Sequence, residues 1–272
     1  KRPENFFSIR QELGESTVSS LRVDSGYENF TDQVERSPEL ALRLLDSPLI
    51  AGFRADADVV LSDLELVPGE SSATAAEEMR RLDLRSEFSR PFIASRWLNV
   101  IPTAGVRYTQ WTSPNLAEEE RSFLSAGLEA ATRFSRVFQV RNRSLGIDGL
   151  RHVVDLRADY SGLMENTLDS APAPFAFDEI DGLDNREVVT LSMGHRFQTR
   201  QSRSDRERIY RLGTRSIAEA RIDALYYPDA DRDNSGEAWG DLFSEVVVHG
   251  SGGWSIFGES RHDLGLGQNR GK

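Results

Sequence analysis

The sequence REVVTLSMGHRFQTR, residues 186–200, decides the fold class because its side chains alternate between two chemical characters. The apolar parity carries Val189, Leu191, Met193, His195 and Phe197, and the mostly polar parity carries Val188, Thr190, Ser192, Gly194, Arg196 and Gln198. Successive side chains of a β-strand point to opposite faces of the sheet, so a period of two residues predicts a strand. This strand is expected to have one apolar face and one polar face.

The same period of two recurs along most of the chain and predicts about a dozen strands. The predicted strands are residues 6–10, 18–27, 40–50, 53–66, 79–88, 97–111, 123–138, 152–160, 186–200, 217–227, 242–249 and 254–264. Residues 40–49 also fit an amphipathic helix, and we favour the strand there. Several of these segments reach ~10 residues, the length that a membrane-spanning barrel strand requires, whereas ordinary sheets use ~5–6.

Long polar connections separate some of these strands. The longest cover residues 162–185, 201–215 and 228–241. Connections of this length are uncommon in compact soluble domains, whereas one side of an outer-membrane barrel normally carries long loops. The sequence therefore predicts an all-β fold, and specifically an antiparallel transmembrane β-barrel with long polar loops.

A soluble β-sandwich also produces alternation, so the polar faces must distinguish the two architectures. Residues 151–159 place Arg151, Asp155, Arg157 and Asp159 together on the polar face of one strand. A wide, water-filled barrel interior tolerates such mixed charges because they stay hydrated and pair across strands. We favour the barrel on this ground, and a soluble β-sandwich binding module stays open as an alternative.

Composition excludes several classes of function. The chain has 272 residues, a formal net charge of -11 and no Cys, so a disulfide scaffold, a thiolate zinc site and a Cys nucleophile are excluded. The acidic balance argues against general nucleic-acid binding. No stretch approaches the ~18 consecutive apolar residues of a transmembrane helix.

No residue pattern predicts catalysis, a metal site or a cofactor. His152, His195, His249 and His262 lie in different predicted strands, without the spacing of a metal-ligand pair. The acidic residues 229–237 look like a calcium loop, but the glycine falls late and Gly240 stands where a glutamate would bind the ion. We interpret this segment as a solvated hairpin tip and expect the chain not to be an enzyme.

The order of several motifs resembles that of the LPS-assembly outer-membrane protein family, LptD (also called OstA). Residues 151–160, RHVVDLRADY, look like the family strand H-x-x-x-P-R-x-x-Y, with Leu156 in place of the proline. Residues 177–185, FDEIDGLDN, are similar to a family stretch with two aspartates and a later asparagine, and Leu191, Gly194, Arg196 and Phe197 follow in the expected order. Further similar motifs are YENF at 27–30, SPEL at 37–40, WLNVIPTAGVRYT at 97–109, and Tyr226, Tyr227, Pro228 and Trp254.

The resemblance implies a role in envelope assembly at the cell outer membrane. It implies that residues 1–272 are a single β-barrel domain fragment, the middle of a barrel without the jellyroll and gate strands. Members of this family receive lipopolysaccharide from periplasmic bridge proteins and insert it into the outer leaflet, with an LptE-like lipoprotein plug inside the barrel. Parity and resemblance together predict these lumen-facing candidates: Arg151, Asp155, Arg157, Asp159, Arg196 and Gln198. Another outer-membrane barrel, a porin or an uptake channel, is a further alternative.

Overall fold

The computed structural model describes residues 5–26, 30–70, 72, 74–113, 118–165, 177–205, 208–250, 253–265 and 268–269. It is all-β, with 75% of residues in strands and 3% in helices. No helix in these described ranges is long and apolar enough to cross a membrane. The YENF motif falls largely outside the described residues, which begin again at Phe30.

The strands follow one another in a single antiparallel sheet. They are β1 (Asn5–Glu12), β2 (Thr17–Ser25), β3 (Gln33–Pro48), β4 (Arg54–Val67), β5 (Glu77–Ser89), β6 (Phe92–Ser95), β7 (Leu98–Thr112), β8 (Glu119–Asn142), β9 (Ile147–Glu165), β10 (Arg186–Asp205), β11 (Arg208–Tyr226), β12 (Trp239–His249), β13 (Ser255–Asp263) and β14 (Gln268–Asn269). Each strand is hydrogen-bonded to its neighbour in sequence, except that β5 pairs directly with β7, and β6 pairs only with β7. Within the described ranges the sheet is not closed, since no pairing joins β1 to β14. A 3-10 turn (Ile50–Gly52) and one short helix, α1 (Ala230–Asp233), complete the elements.

The predicted all-β class and the predicted strands are confirmed, since each of the twelve predicted segments overlaps an observed strand. Residues 40–48 are extended rather than helical. The period of two therefore located the strands correctly, and β6 and β14 are the two that it missed. Both are short, with four and two residues, so neither contains enough alternation to detect.

The prediction of a long connection over residues 201–215 is wrong. β10 continues to Asp205 and β11 begins at Arg208, with Arg203 facing Tyr210 in the register. Antiparallel pairing uses backbone N–H and C=O groups, which do not depend on side-chain polarity. A hairpin can therefore extend through a segment without an apolar parity, as this one does. β9 likewise extends to Glu165, into the predicted connection at 162–185.

The chain divides into two compact units, which are described separately. Unit 1 comprises residues 1–91, 102–127 and 162–185, and unit 2 comprises residues 92–101, 128–161 and 186–272. In each unit we call the side of the sheet that carries the apolar parity the apolar face, and the opposite side the ionic face.

The apolar face of unit 1 is built from aligned apolar side chains on consecutive strands. The aligned pairs are Leu21 with Leu40, Leu40 with Leu61, Leu61 with Leu82, Leu42 with Val59, and Val59 with Leu84. Many of these side chains are exposed, with Leu61 at 49%. The strand register thus gathers large apolar side chains into a continuous surface that the described residues of unit 1 leave exposed.

The buried hydrophobic cluster of unit 1 lies on the ionic face instead. It contains Leu64, Leu66, Met79, Trp111 and Phe177. Phe177 does not belong to a strand; it begins the segment 177–185, which lies against β4, β5 and β7. In unit 1 the core is therefore formed between the sheet and a connection, rather than between two sheets.

Unit 2 has the same two-faced construction. Its apolar face aligns Leu191 with Ala224, Met193 with Ile222, Ala220 with Val246, and Val248 with Ile256. Leu191, Val246 and Ile256 are exposed. On its ionic face, Arg196 stands opposite Glu219 and Ser192 opposite Asp223. The sequence period of two thus sets the character of both faces.

Candidate functional site

A polar groove of about 420 Å³ lies on the ionic face of unit 2. Its charged lining residues are Asp155, Arg157, Arg196, Glu219, Arg221 and Glu245, which come from β9, β10, β11 and β12. Gly194 also lines the groove, and a Cβ at that position would lie 3.7 Å from the Cβ of Asp155. The absence of a side chain at Gly194 therefore keeps space open between the charged side chains.

The structure brings three of the six predicted lumen-facing residues together in this groove, namely Asp155, Arg157 and Arg196. Arg151 is exposed near the start of β9, and Asp159 is half-buried beside Arg157. Gln198 lies at a register shift between β10 and β11, where it stands opposite Ser216. These three do not line the groove.

Every arginine of the groove has an acidic neighbour on the same face. Arg157 pairs with Asp159 at 2.7 Å and Glu129 at 3.1 Å, measured between guanidinium nitrogen and carboxylate oxygen. Arg196 lies 3.9 Å from Glu219, and Arg221 lies 2.8 Å from Asp223. Exposed ion pairs of this kind contribute little stability, ~0–1 kcal/mol each. Their main effect is to neutralise the arginines, so this groove has both charges but no excess of positive charge.

Unit 1 contains a second and more buried ionic site, where residues 177–185, which we call the strap, lie against the sheet. Arg81 of β5 donates through Nη1 and Nη2 to both carboxylate oxygens of Asp178, each at 2.7 Å. Its Nη1 also donates to Oδ1 of Asp181 at 2.9 Å. The side chains of Arg81 and Asp181 are fully buried, so this is a bidentate, charge-assisted contact away from solvent.

Two further side chains of the sheet fix the strap. Arg121 of β8 donates to the backbone carbonyl oxygens of Ile180 at 2.9 Å and Leu183 at 3.0 Å. Trp111 of β7 donates its indole N–H to Oδ1 of Asp181 at 2.8 Å, and its ring lies 5.1 Å from the Arg121 guanidinium. Arg36 of β3 also donates to Asp178 at 3.5 Å, so side chains of β3, β5, β7 and β8 hold the strap.

The surroundings of Asp178 favour its charged form. Burial works to raise the pKa of this carboxyl, but the Arg81 hydrogen bonds and charge outweigh it, with help from the backbone N–H of Ile180 and the charge of Arg36. The net effect lowers the pKa of Asp178 below its usual range. The contact between strap and sheet is therefore complete at neutral pH.

The ionic contacts at the strap are incompletely satisfied. Three buried side-chain atoms have no hydrogen-bond partner within the described ranges: Nε of Arg81, Nε of Arg121 and Oε2 of Glu119. An unsatisfied buried polar group costs ~1–3 kcal/mol. Arg81 and Arg121 thus engage the strap only through their Nη atoms.

The described residues contain no group of three or more side chains suited to hold a metal ion. His152 and His195 lie close, with Nε2 and Nδ1 3.0 Å apart, and Phe197 stacks on His152. In the predicted hairpin tip, Asp229 accepts a hydrogen bond from the backbone of Arg232, and Asp233 pairs with the Arg232 guanidinium. These two acids are thus engaged in contacts within the protein.

A scan against protein-family models gives no match, and a search of the curated proteins finds no matching sequence. The resemblance to the LPS-assembly family therefore stays a prediction from the motifs, and the chain's function must be argued from its two faces and its two ionic sites.

Sequence reasoning missed the strap. Asp178 and Asp181 stood out only as part of the family resemblance, and Arg81, Trp111 and Arg121 did not stand out at all. Arg81 is 97 residues from Asp178 and 100 from Asp181, and no local pattern encodes a contact over that separation. The sequence offers one signal for this contact: Arg81 lies within the predicted strand 79–88, at a position whose side chain points to the ionic face.

Proposed function

We propose that this chain is part of an outer-membrane β-barrel that transports lipopolysaccharide and inserts it into the outer leaflet. The observation that carries the barrel is the exposed apolar face of unit 1. Monomeric soluble proteins rarely expose apolar patches larger than a few hundred Å², because each Å² of apolar surface left in water costs ~25 cal/mol. Lipid removes that cost, and a barrel wall exposes such a face to lipid along every strand.

The buried cluster of unit 1 also argues for this proposal over a β-sandwich. A sandwich packs the apolar faces of two sheets against each other. In unit 1 the cluster around Trp111 and Phe177 lies on the ionic face, and Leu61 on the opposite face is half-exposed. A soluble module would have to leave that face in water.

The transport of lipopolysaccharide rests on the order of motifs that resembles the LPS-assembly family. The groove of unit 2 supports a hydrated path, since Asp155, Arg157 and Arg196 provide both charges. Because each arginine is neutralised, an anionic glycolipid would be contacted but not held tightly, as transport requires. In this proposal the partners are lipopolysaccharide, an LptE-like plug, periplasmic bridge proteins and membrane lipid.

The barrel proposal is tested by attaching probes to the two faces of β5. The natural chain has no Cys, so Leu84→Cys and Arg85→Cys each provide a unique thiol. The two positions are consecutive, lie on opposite faces and are similarly exposed. In vesicles with brominated acyl chains, a fluorophore attached through Leu84→Cys should be quenched and one attached through Arg85→Cys should not. A chain that stays in the aqueous phase, with neither probe quenched, would exclude the barrel.

The transport proposal is tested separately in cells with Arg196→Glu. This change replaces the cation opposite Glu219 with a second acid, so insertion of the barrel should persist while display of lipopolysaccharide at the cell surface falls. Normal export in this variant would count against the assignment. Ion conductance through a single inserted chain, without any effect on lipopolysaccharide display, would favour a porin or uptake channel instead.

A further inference from the structure

The acceptors that hold Arg81 and Arg121 come from the strap itself. Within the described ranges, the hydrogen-bond acceptors of Arg81 are Asp178 and Asp181, and those of Arg121 are backbone carbonyls of the strap. The strap lies outside the sheet. If it left, the sheet would keep both guanidinium groups and lose the groups that hydrogen-bond to them.

This arrangement differs from the contact made by Arg107, another arginine of unit 1. Arg107 of β7 binds both carboxylate oxygens of Asp83 at 2.8 Å, and Thr109 donates to the same carboxylate. Asp83 is a residue of the neighbouring strand β5, so that arginine is neutralised by the sheet itself. Among the described residues, the sheet supplies no such bidentate carboxylate to Arg81 or Arg121.

The strap leaves part of the hydrogen-bonding capacity of these two arginines unused. A carboxylate presents two oxygens and engages Arg81 through its two Nη atoms, and neutral carbonyls are weak partners for Arg121. The buried Nε–H groups of both arginines have no acceptor within the described ranges. A phosphate monoester or diphosphate has more charge and more acceptor oxygens, and arginine binds such groups bidentately.

We propose that Arg81 and Arg121 form a binding site for a phosphate group, and that the strap occupies this site as an internal competitor. Asp178 and Asp181 then stand in for the ligand's oxyanions, and Trp111 contacts the strap when the site is closed. Binding of a phosphate group displaces the strap from the arginines. The proposal concerns unit 1 alone and holds whether or not the chain transports lipopolysaccharide.

The test compares inorganic pyrophosphate binding, by calorimetry in a non-ionic detergent, between the natural chain and Asp178→Asn/Asp181→Asn. Removing both competing carboxylates should raise the affinity by about tenfold or more. Adding Arg81→Gln and Arg121→Gln should abolish the gain. The matched control is Asp32→Asn, which removes a carboxylate of unit 1 that accepts hydrogen bonds from Gly69 and Thr74 rather than from an arginine, and should leave the affinity unchanged. A folded Asn variant that binds pyrophosphate no more tightly than the natural chain overturns the proposal.

A second measurement decides the matter if the Asn variant does not fold. Trp111 is buried, whereas the three other tryptophans are exposed and can be replaced by Phe: Trp97, Trp239 and Trp254. In that chain, pyrophosphate should shift the Trp111 emission to the red in a saturable manner, while sodium chloride of equal ionic strength should not. No difference between the two salts overturns the proposal.

The source of the phosphate group is identified by a further comparison. Vesicles that contain a diphosphoryl glycolipid should shift the Trp111 emission if the natural ligand is a lipid headgroup, and vesicles of the dephosphorylated glycolipid should not. A response to pyrophosphate without a response to either vesicle assigns the site to a soluble phosphate. The absence of any response, to pyrophosphate or to vesicles, overturns the site.

Discussion

Replacing Arg81 with Met should destabilise unit 1 more than replacing any exposed arginine of the same strand. The substitution keeps the length of the side chain but leaves Asp178 and Asp181 without their shared cation. Removing one partner of a buried ion pair costs ~3–5 kcal/mol, because the remaining charge stays buried and unpaired. We expect the free energy of unfolding to fall by about 3 kcal/mol, the lower end of this range. The reason is that Asp181 still accepts a hydrogen bond from the Trp111 indole N–H at 2.8 Å, and Asp178 still accepts one from the backbone N–H of Ile180 at 2.9 Å.

The assay is equilibrium unfolding in urea, in the same detergent for every variant, followed by the emission of the buried Trp111. Arg85→Met is the control, since Arg85 lies on the same strand and face but is nearly half exposed, and its loss should cost less than about 1 kcal/mol. Arg81→Met combined with Asp178→Asn and Asp181→Asn should recover most of the loss, because no buried charge remains. Equal losses for Arg81→Met and Arg85→Met would refute the buried ionic contact.

Three further outcomes follow from the same contacts. The pKa of Asp178 is lowered in the folded protein, so its contribution to stability is complete above its unfolded pKa of ~3.9 and is lost as the pH falls below that value. Trp111 emission should therefore shift to the red in acid, and the shift should be smaller in Asp178→Asn. Phe177→Ala should cost ~3 kcal/mol in urea unfolding, because it leaves a cavity beside Leu64 and Leu66. Leu61→Arg should cost ~2–4 kcal/mol for the chain folded in vesicles and much less in aqueous buffer, and equal costs would argue against contact with lipid.

Most of the fold could be predicted from the sequence because one physical rule, the alternation of side chains along a strand, is local. Residues 186–200 alternate clearly, and β10 contains all of them. The rule fails where no face needs to be apolar, as in the hairpin that extends through residues 201–205 and 208–215. It also cannot locate the register, which is a property of two strands together.

The two candidate sites also differ in whether local sequence patterns can predict them. Asp155, Arg157 and Arg196 share the ionic parity of neighbouring strands, so local pattern and sheet pairing suffice to place them in one groove, whereas their predicted position in a barrel lumen stays a prediction. The strap was not found, because its contacts with Arg81 and Arg121 join residues about 60 to 100 positions apart in irregular structure. Contacts between a connection and a sheet do not recur at a regular sequence spacing, so a search for periodic patterns does not detect them.

The two ionic sites show why net charge alone does not locate a binding function in this chain. The groove of unit 2 is open, yet Arg157 and Arg196 are each paired with an acid of the sheet, which leaves little affinity for an anion. The site under the strap is closed, yet Arg81 and Arg121 depend on a segment that lies outside the sheet. An arginine neutralised by its own strand neighbours lines a surface, whereas an arginine neutralised by a separate segment can exchange that segment for a ligand. Binding capacity is therefore expected at Arg81 and Arg121, where the strap can be displaced, and passage along the surface at the open groove.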